Sequence, residues 1–372
     1  MVQYLVFLTI STALYAMFAL GLNLQWGFTG LINFGHVAFL TIGAYTTVLL
    51  SLQGVPIFVA VIIGAVGASL LGLLIGASSL RLREDYLAIV TIGAGEFIRL
   101  VVQNEEWLTK GTFGIQRFPL PLGNFQPNLA GKLMMIVVLS LLAIFVVWQL
   151  WRNLKRQLKQ GREIQGKSYQ ASKPRTVFFW GVVAFLSILV IYINGIFALY
   201  NYTYKSGLML LVLIGLTIVY YGLDILVHSP WGRVLKAIRE DEEIPRALGK
   251  NVFWYKLQSF MLGGAIAGFA GAFYSWQLTT IYPSGFDPLL TFNAWIIVVI
   301  GGSGNNAGTI LGAIIFWSYD SITRFIFANS DLISQSQLSS LRIMIIGLIL
   351  MILMVSRPQG ILGKKGELSL GK

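Results

Sequence analysis

The chain has 372 residues, of which 56% are apolar and only 11% charged, against roughly 25% charged in an ordinary soluble domain. That much apolar side chain cannot be hidden in a soluble core without large exposed patches, so a water-soluble globular fold is excluded and a bilayer is the fitting solvent. The net charge of +12 lies between apolar runs, a topological signature rather than a nucleic-acid surface, and the lack of cysteine excludes disulfides and thiolate chemistry.

No Asp, Glu, Lys or Arg occurs before Arg81. A span needs about 20 apolar residues, because the hydrocarbon is ~30 Å thick and a helix rises ~1.5 Å per residue, so this stretch holds three spans. The first, Tyr4 to Leu22, has no basic leader and no small-residue cleavage site, and reads as a retained helix. Apolar runs predict spans near 3–22, 27–51, 56–79, 85–103, 132–151, 176–200, 206–228, 254–278, 289–302, 307–327 and 339–356. The fold class is an all-α polytopic bundle of about ten spans, with nine to eleven as the range, and some of the Gly-rich spans broken or re-entrant. Glycines inside the apolar runs, as in Gly64, Gly67, Gly72 and Gly76 and again Gly263, Gly264, Gly268 and Gly271, several at four-residue spacing, predict close backbone packing between helices.

Arg81 and Arg83, the segment 152–175 with its eight basic residues, the loop after Pro230 and the tail with Arg357, Lys364 and Lys365 all fall on one side of these spans. By the positive-inside rule that side is cytoplasmic. The 152–175 stretch reads as a mobile basic linker near anionic lipid headgroups. The segment 104–131, with Pro119, Pro121 and Pro127, lies opposite and is long enough for a small external cap or docking surface.

Polar residues inside the spans are the site candidates, because a mid-bilayer charge costs at least about 2.5–3.5 kcal/mol. Glu96 and Arg99 are spaced to pair on one helix face, as are Asp320 and Arg324. Asn23, Gln25, Asn33 and His36 gather at the first turn-back, where an amino-acid or amide substrate would find hydrogen bonds; packed structural roles compete with that reading. Asp224 and His228 read as local capping groups. Gly301 to Gly308, GGSGNNAG, lacks the lysine and preceding strand of a phosphate loop and reads as an unwound break between two half-helices. Its Gly-x-Ser-Gly also matches an intramembrane serine protease pattern, but both histidines, His36 and His228, precede it, whereas the base of such a protease follows the serine. No catalytic residue, metal, cofactor or nucleic-acid partner is expected.

The loop GRVLKAIREDEEIPRALG, Gly232 to Gly249, begins as a short helix whose Leu235 and Ile238 share a face with Glu242, suited to docking in a groove of another protein. Together with GLNLQWGFTGLINFGHVAFLTIGAY (Gly21 to Tyr45), LRLREDYLAIVTIGAGEFIRLV (Leu80 to Val101), TKGTFGI (Thr109 to Ile115), VVIGGSGNNAGTILGA (Val298 to Ala313) and RPQGILG (Arg357 to Gly363), it resembles the branched-chain amino acid ABC permeases of the LivM type, in order and over nearly the whole chain. The subgroup it is most similar to is the neutral amino acid permeases of cyanobacteria. The resemblance implies a single permease domain, 1–372, with 229–253 as a cytoplasmic coupling loop, in a bacterial plasma membrane. It implies a LivH-like second permease, two cytoplasmic ATPases and an external amino-acid-binding protein. Arg239, Glu240, Asp241, Ala247 and Gly249 match the coupling motif and would meet the ATPase, and Pro245 would end the coupling helix early. Urea or short amides are the alternative cargo, and an ion-coupled secondary transporter using Glu96, Asp224 and Asp320 is the alternative mechanism.

Overall fold

The computed structural model describes residues 2–82, 84–123, 125–163, 174–327 and 360–363, with isolated positions between 340 and 355. Among them are thirteen α-helices and one two-residue β-ribbon. Eight helical segments are long and apolar enough to cross a bilayer. In that solvent each backbone polar group must be satisfied within the chain, which helices do by themselves.

Helix α1 (Val2–Leu22) continues as a π-helical segment, Asn23–Phe28, and after an irregular stretch α2 (Val37–Leu52) resumes. The predicted span 27–51 is therefore a broken passage whose regular helix has 16 residues. Helices α3 (Ile57–Ser79) and α4 (Glu84–Asn104) follow, then the short α5 (Glu106–Thr109) and strand β1 (Ile115–Gln116). Helix α6 (Leu129–Glu163) has 35 residues, so the first half of the expected 152–175 linker is helical; 164–173 lie outside the described residues. Helices α7 (Pro174–Tyr200) and α8 (Tyr204–His228) lead into the short α9 (Pro230–Glu240) and α10 (Glu243–Ala247). Helix α11 (Val252–Leu278), strand β2 (Thr280–Ile281), the half-length α12 (Leu289–Gly301) and α13 (Asn306–Phe327) complete the fold. Half of the positions of the predicted span 339–356 lie outside the described residues.

Contacts between distant loops fix two faces. On one, Arg81 lies over the Phe253 ring at 5.4 Å, Lys236 over Phe28 at 5.6 Å, and the 360–363 segment donates from Ile361 N and Leu362 N to the carbonyls of Ile300 and Gly301, both at 3.0 Å. This face, called the basic face below, carries Arg81, Lys236 and the 360–363 segment. On the other, β1 pairs antiparallel with β2, with Ile115 opposite Ile281; Tyr202 donates to the Leu122 carbonyl (3.4 Å) and Tyr204 to that of Trp276 (3.0 Å).

The core sits where α1, α2, α3 and α11 press together. A Cβ added to Gly43 would lie 2.0 Å from the Gly268 carbonyl oxygen, so the two backbones touch with no side chain between them. This is the close approach that the glycine spacing predicts, and it replaces the hydrophobic drive absent in lipid with van der Waals contact.

Candidate functional site

Two broken passages meet inside the bundle. The first is the stretch between the π-helical segment and α2; the second is the link from β2 into α12. A helix start buried in the membrane leaves backbone N–H groups without partners, and here side chains of the other elements supply them. Val37 N donates to Thr291 Oγ1 at 2.9 Å, Phe34 N to Thr91 Oγ1 at 3.1 Å, and Trp295 Nε1 to the Asn33 carbonyl at 3.0 Å.

Behind this junction lie the four polar residues singled out at the first turn-back, all fully buried. Gln25 Nε2 donates to the Phe260 carbonyl (2.9 Å), and Asn33 Nδ2 donates to Gln25 Oε1 (2.8 Å). Asn33 Oδ1 accepts from Gly35 N (2.9 Å), and His36 Nε2 lies 3.1 Å from the Phe18 carbonyl. Asn23 forms a separate branch, accepting from Gly304 N (2.9 Å) and donating to Asn306 Oδ1 (3.1 Å). These groups hold the breaks in place and satisfy one another, as buried polar groups must.

The surface facing away from that network is aromatic. Trp26 packs on Trp295 at 4.5 Å between centroids, Trp295 on Phe34 at 5.0 Å, and Phe34 on Phe292 at 5.7 Å. Phe292 is 44% exposed and the other three are half-buried, so the two broken passages present a ladder of ring faces. No periodicity in the sequence marks these rings, because they sit in runs that are apolar throughout; the only signal is their position beside Gly- and Asn-rich breaks.

Glu96 and Arg99 are brought together with each other and not with the turn-back cluster. Arg99 Nε donates to Glu96 Oε2 at 2.9 Å, and Arg99 Nη1 reaches Gln103 Oε1 at 3.3 Å. Asp320 likewise accepts from Arg324 Nε at 2.8 Å, and His228 Nδ1 lies 2.7 Å from the Asp224 carbonyl.

On the basic face, α9 starts at Ser229, whose hydroxyl caps Gly232 N, followed by Pro230 at the first helical position. Leu235 and Ile238, expected as docking knobs, are instead buried; Leu235 packs with Leu24, Phe28, Leu223 and Val227. Trp231 Nε1 donates to Gln258 Oε1 at 2.7 Å, tying α9 to α11. Arg239 also turns inward: Nη1 donates to the Gly27 carbonyl at the end of the π-helical segment, and Nη2 lies 3.4 Å from Ser303 Oγ in the α12–α13 turn. A cation there meets the negative end of the helix dipole. Gly30, at φ 81°, lets the Arg239 side chain lie against its backbone.

Glu240, Asp241, Ala247 and Gly249 are exposed. The helix breaks at Asp241, whose Oδ1 accepts from Glu243 N at 2.9 Å, so Pro245 lies inside α10 rather than ending α9. Ile244 is 57% exposed and Leu248 74%, and these are the apolar side chains that the segment presents outward. The α12–α13 turn is unwound as read from GGSGNNAG, with Gly302 at φ 112° and Gly304 at φ 75°.

A family model described as branched-chain amino acid transport system / permease component matches residues 4–156 and 158–354. The chain is 29% identical to the high-affinity branched-chain amino acid transport system permease protein LivM of Escherichia coli K12, covering 94% of this chain and 68% of that one. It is 22% identical to the corresponding protein BraD of Pseudomonas aeruginosa, covering 94% and 92%, and 24% identical to a probable LivM of Methanocaldococcus jannaschii, covering 82% and 76%. No solved structure gives a significant match. The multi-pass bundle with its two broken passages thus belongs to the family of branched-chain amino acid transport system permease components.

Proposed function

We propose that the whole chain is one permease domain and forms half of the translocation path of an ATP-driven importer of branched-chain or other neutral amino acids, in a bacterial plasma membrane. A LivH-like second permease covers the ladder of Trp26, Phe34, Phe292 and Trp295, and the apolar side chain of the cargo passes along it. The basic face is cytoplasmic and carries two ATPases; an external amino-acid-binding protein docks on the opposite face, where Trp107 and Phe113 are exposed.

The observation that carries this reading is the connection from α10 to the ladder. Exposed Ile244 and Leu248, framed by Glu240, Asp241, Ala247 and Gly249, form an apolar patch on a segment outside the bilayer, which marks a protein contact. Helix α9 links that patch through Arg239 to Gly27 and Ser303, adjacent to Trp26 and to the base of α12. A push on α10 therefore moves the ends of both broken passages together, as a shift between two packed states. An ion-coupled carrier is disfavoured because Glu96, Asp224 and Asp320 each face a partner within their own helix. Urea and short amides are disfavoured by the apolar character of the ladder.

The test is co-purification of the assembled importer with its ATPase, combined with uptake. Leu248→Asp is expected to lose the ATPase. Arg239→Gln is expected to keep it while uptake falls at least tenfold. Purified chain that moves solute on an ion gradient without any ATPase would overturn the proposal.

A further inference from the structure

An apolar groove separates the α6–α7 hairpin from α8 and α13. It has a cavity volume of about 250 Å3 and is lined by residues that include Leu142, Val146, Ile188, Leu213 and Ile310, with Leu362 at the basic face. Along α6 its walls run from Leu139 to Leu150, about 16 Å at a rise of ~1.5 Å per residue. That is roughly half of the ~30 Å hydrocarbon thickness. On α7 the wall runs from Gly181 to Tyr192 and on α13 from Ala307 to Ile314, so the groove runs from the basic-face side to about the middle of the spans.

The basic-face end of this groove carries two unbonded polar groups. Gln149 lines it, is only 4% exposed, and has no hydrogen-bond partner at either Nε2 or Oε1. One turn further, Arg152 has a buried Nε without a partner, and its guanidinium lies 4.8 Å from the centroid of the Trp148 ring. Leaving a buried amide unbonded costs about 1–3 kcal/mol, and the bilayer interior offers no water to bond it. The bonding partner must come with whatever fills the groove.

We propose that the groove is a binding site for an anionic phospholipid of the basic-face leaflet. One acyl chain lies between α6 and α8, as the depth of a single leaflet allows. The soft amide torsion of Gln149 lets its NH2 donate to an ester carbonyl, and Arg152 meets the phosphate at the headgroup level. Charge favours an anionic lipid: Lys155, Arg156 and Lys159 follow on the same helix, and each basic residue near such a surface contributes about 1 kcal/mol. The site is independent of the coupling segment and of the cargo.

The test uses the full-length protein in phosphatidylcholine nanodiscs doped with acyl-photoactivatable phosphatidylglycerol, or with phosphatidylcholine bearing the same label, and maps adducts by peptide mass spectrometry. Phosphatidylglycerol adducts should concentrate on groove positions such as Leu142, Leu213 and Ile310, several-fold above those of phosphatidylcholine. They should fall several-fold in Gln149→Leu and in Arg152→Gln and be retained in Arg152→Lys. Thermal unfolding gives a second readout. Gln149→Leu, relieved of an unbonded amide, should unfold no earlier than wild type in phosphatidylcholine, yet lose the stabilisation that phosphatidylglycerol gives the wild type. Equal labelling by the two lipids, labelling spread evenly over the outer faces of α3 and α4, or a groove that takes no lipid because 339–356 or another subunit fills it, would each overturn the proposal.

Discussion

Helices α2 and α11 pack by removing side chains; helices α6 and α7 pack by interleaving them. At the first contact a Cβ on Gly271 would lie 2.2 Å from the Leu40 carbonyl oxygen. At the second, Leu139 of α6 and Leu199 of α7 form a small aliphatic cluster with Leu210 of α8, and the outer side of α6 turns Met134, Val137, Leu141 and Ile144 outward. The polar groups differ in the same way. Asn23, Gln25, Asn33 and His36 are bonded to one another, to backbone or, for Asn23, to the Asn306 side chain, whereas Gln149 is bonded to nothing. In lipid, apolar area alone gives helices no reason to associate. The part of the bundle that must hold two broken passages in register does so with backbone contact and closed hydrogen bonds, and the hairpin at its edge leaves room for other molecules.

The largest effect should come from closing the backbone contact. Gly268→Leu drives a side chain into Ala68 and the Gly64 carbonyl, and overpacking of this kind costs ~3 kcal/mol or more where backbone must move. The measurement is the fraction of monodisperse protein on size exclusion in mild detergent, expected to collapse. As a control outside that contact, Gly222→Leu on α8 meets nothing within 4 Å of its Cβ and should leave that fraction unchanged. If both variants behave alike, the loss at Gly268 does not come from the closed backbone contact.

Next in size is the buried network. Gln25→Leu takes from the Phe260 carbonyl its bond beyond the α11 helix and leaves one buried Asn33 N–H unbonded, the latter at about 1–3 kcal/mol. Unfolding in mixed micelles should show the loss, and Asn33→Leu in the same background should then cost less than it does alone, because the two residues share one bond. Additive losses would show that each acts separately.

How far the sequence foretold this arrangement depends on the range of the forces involved. Hydropathy reports on the bilayer, which every residue feels alone, so the apolar spans were legible along the chain. The glycine spacing was legible for the same reason. The α9–α10 segment was legible as a helix but not in its facing: Leu235 and Arg239 look outward in isolation and turn inward because Leu24, Gly27 and Ser303 wait for them from distant parts of the chain. The ring ladder was hidden because Phe34 and Trp295, 261 positions apart in the numbering, face each other only after both passages have broken. Nothing in the sequence singles out Gln149, and only the packing reveals that it is enclosed.

A smaller effect belongs to Trp295→Phe. The ring contacts with Trp26 and Phe34 remain while the Nε1 donation to the Asn33 carbonyl is lost. A hydrogen bond of this kind is worth about 1 kcal/mol net, so stability should fall by that order, with uptake reduced more than ATPase association, since α9 is untouched. Equal loss of both would mean that the junction and the α9–α10 segment fold as one unit.

The smallest effect tests the outer face of the hairpin. Leu141 is 61% exposed on α6 and packs toward the surrounding hydrocarbon. In water, a buried Leu→Ala truncation costs about 2–5 kcal/mol through lost transfer energy and a cavity. At a lipid-facing position neither arises, because acyl chains are as apolar as leucine and flow into the space. Leu141→Ala should therefore change stability by less than about 0.5 kcal/mol, as at an ordinary surface site. The comparison is sharpened by repeating the measurement in the assembled importer. If the cost stays small, this face meets lipid in the complex as well. A loss above 1 kcal/mol only in the assembly would mean that another subunit sits against α6, and the hairpin would then be an interface rather than an edge.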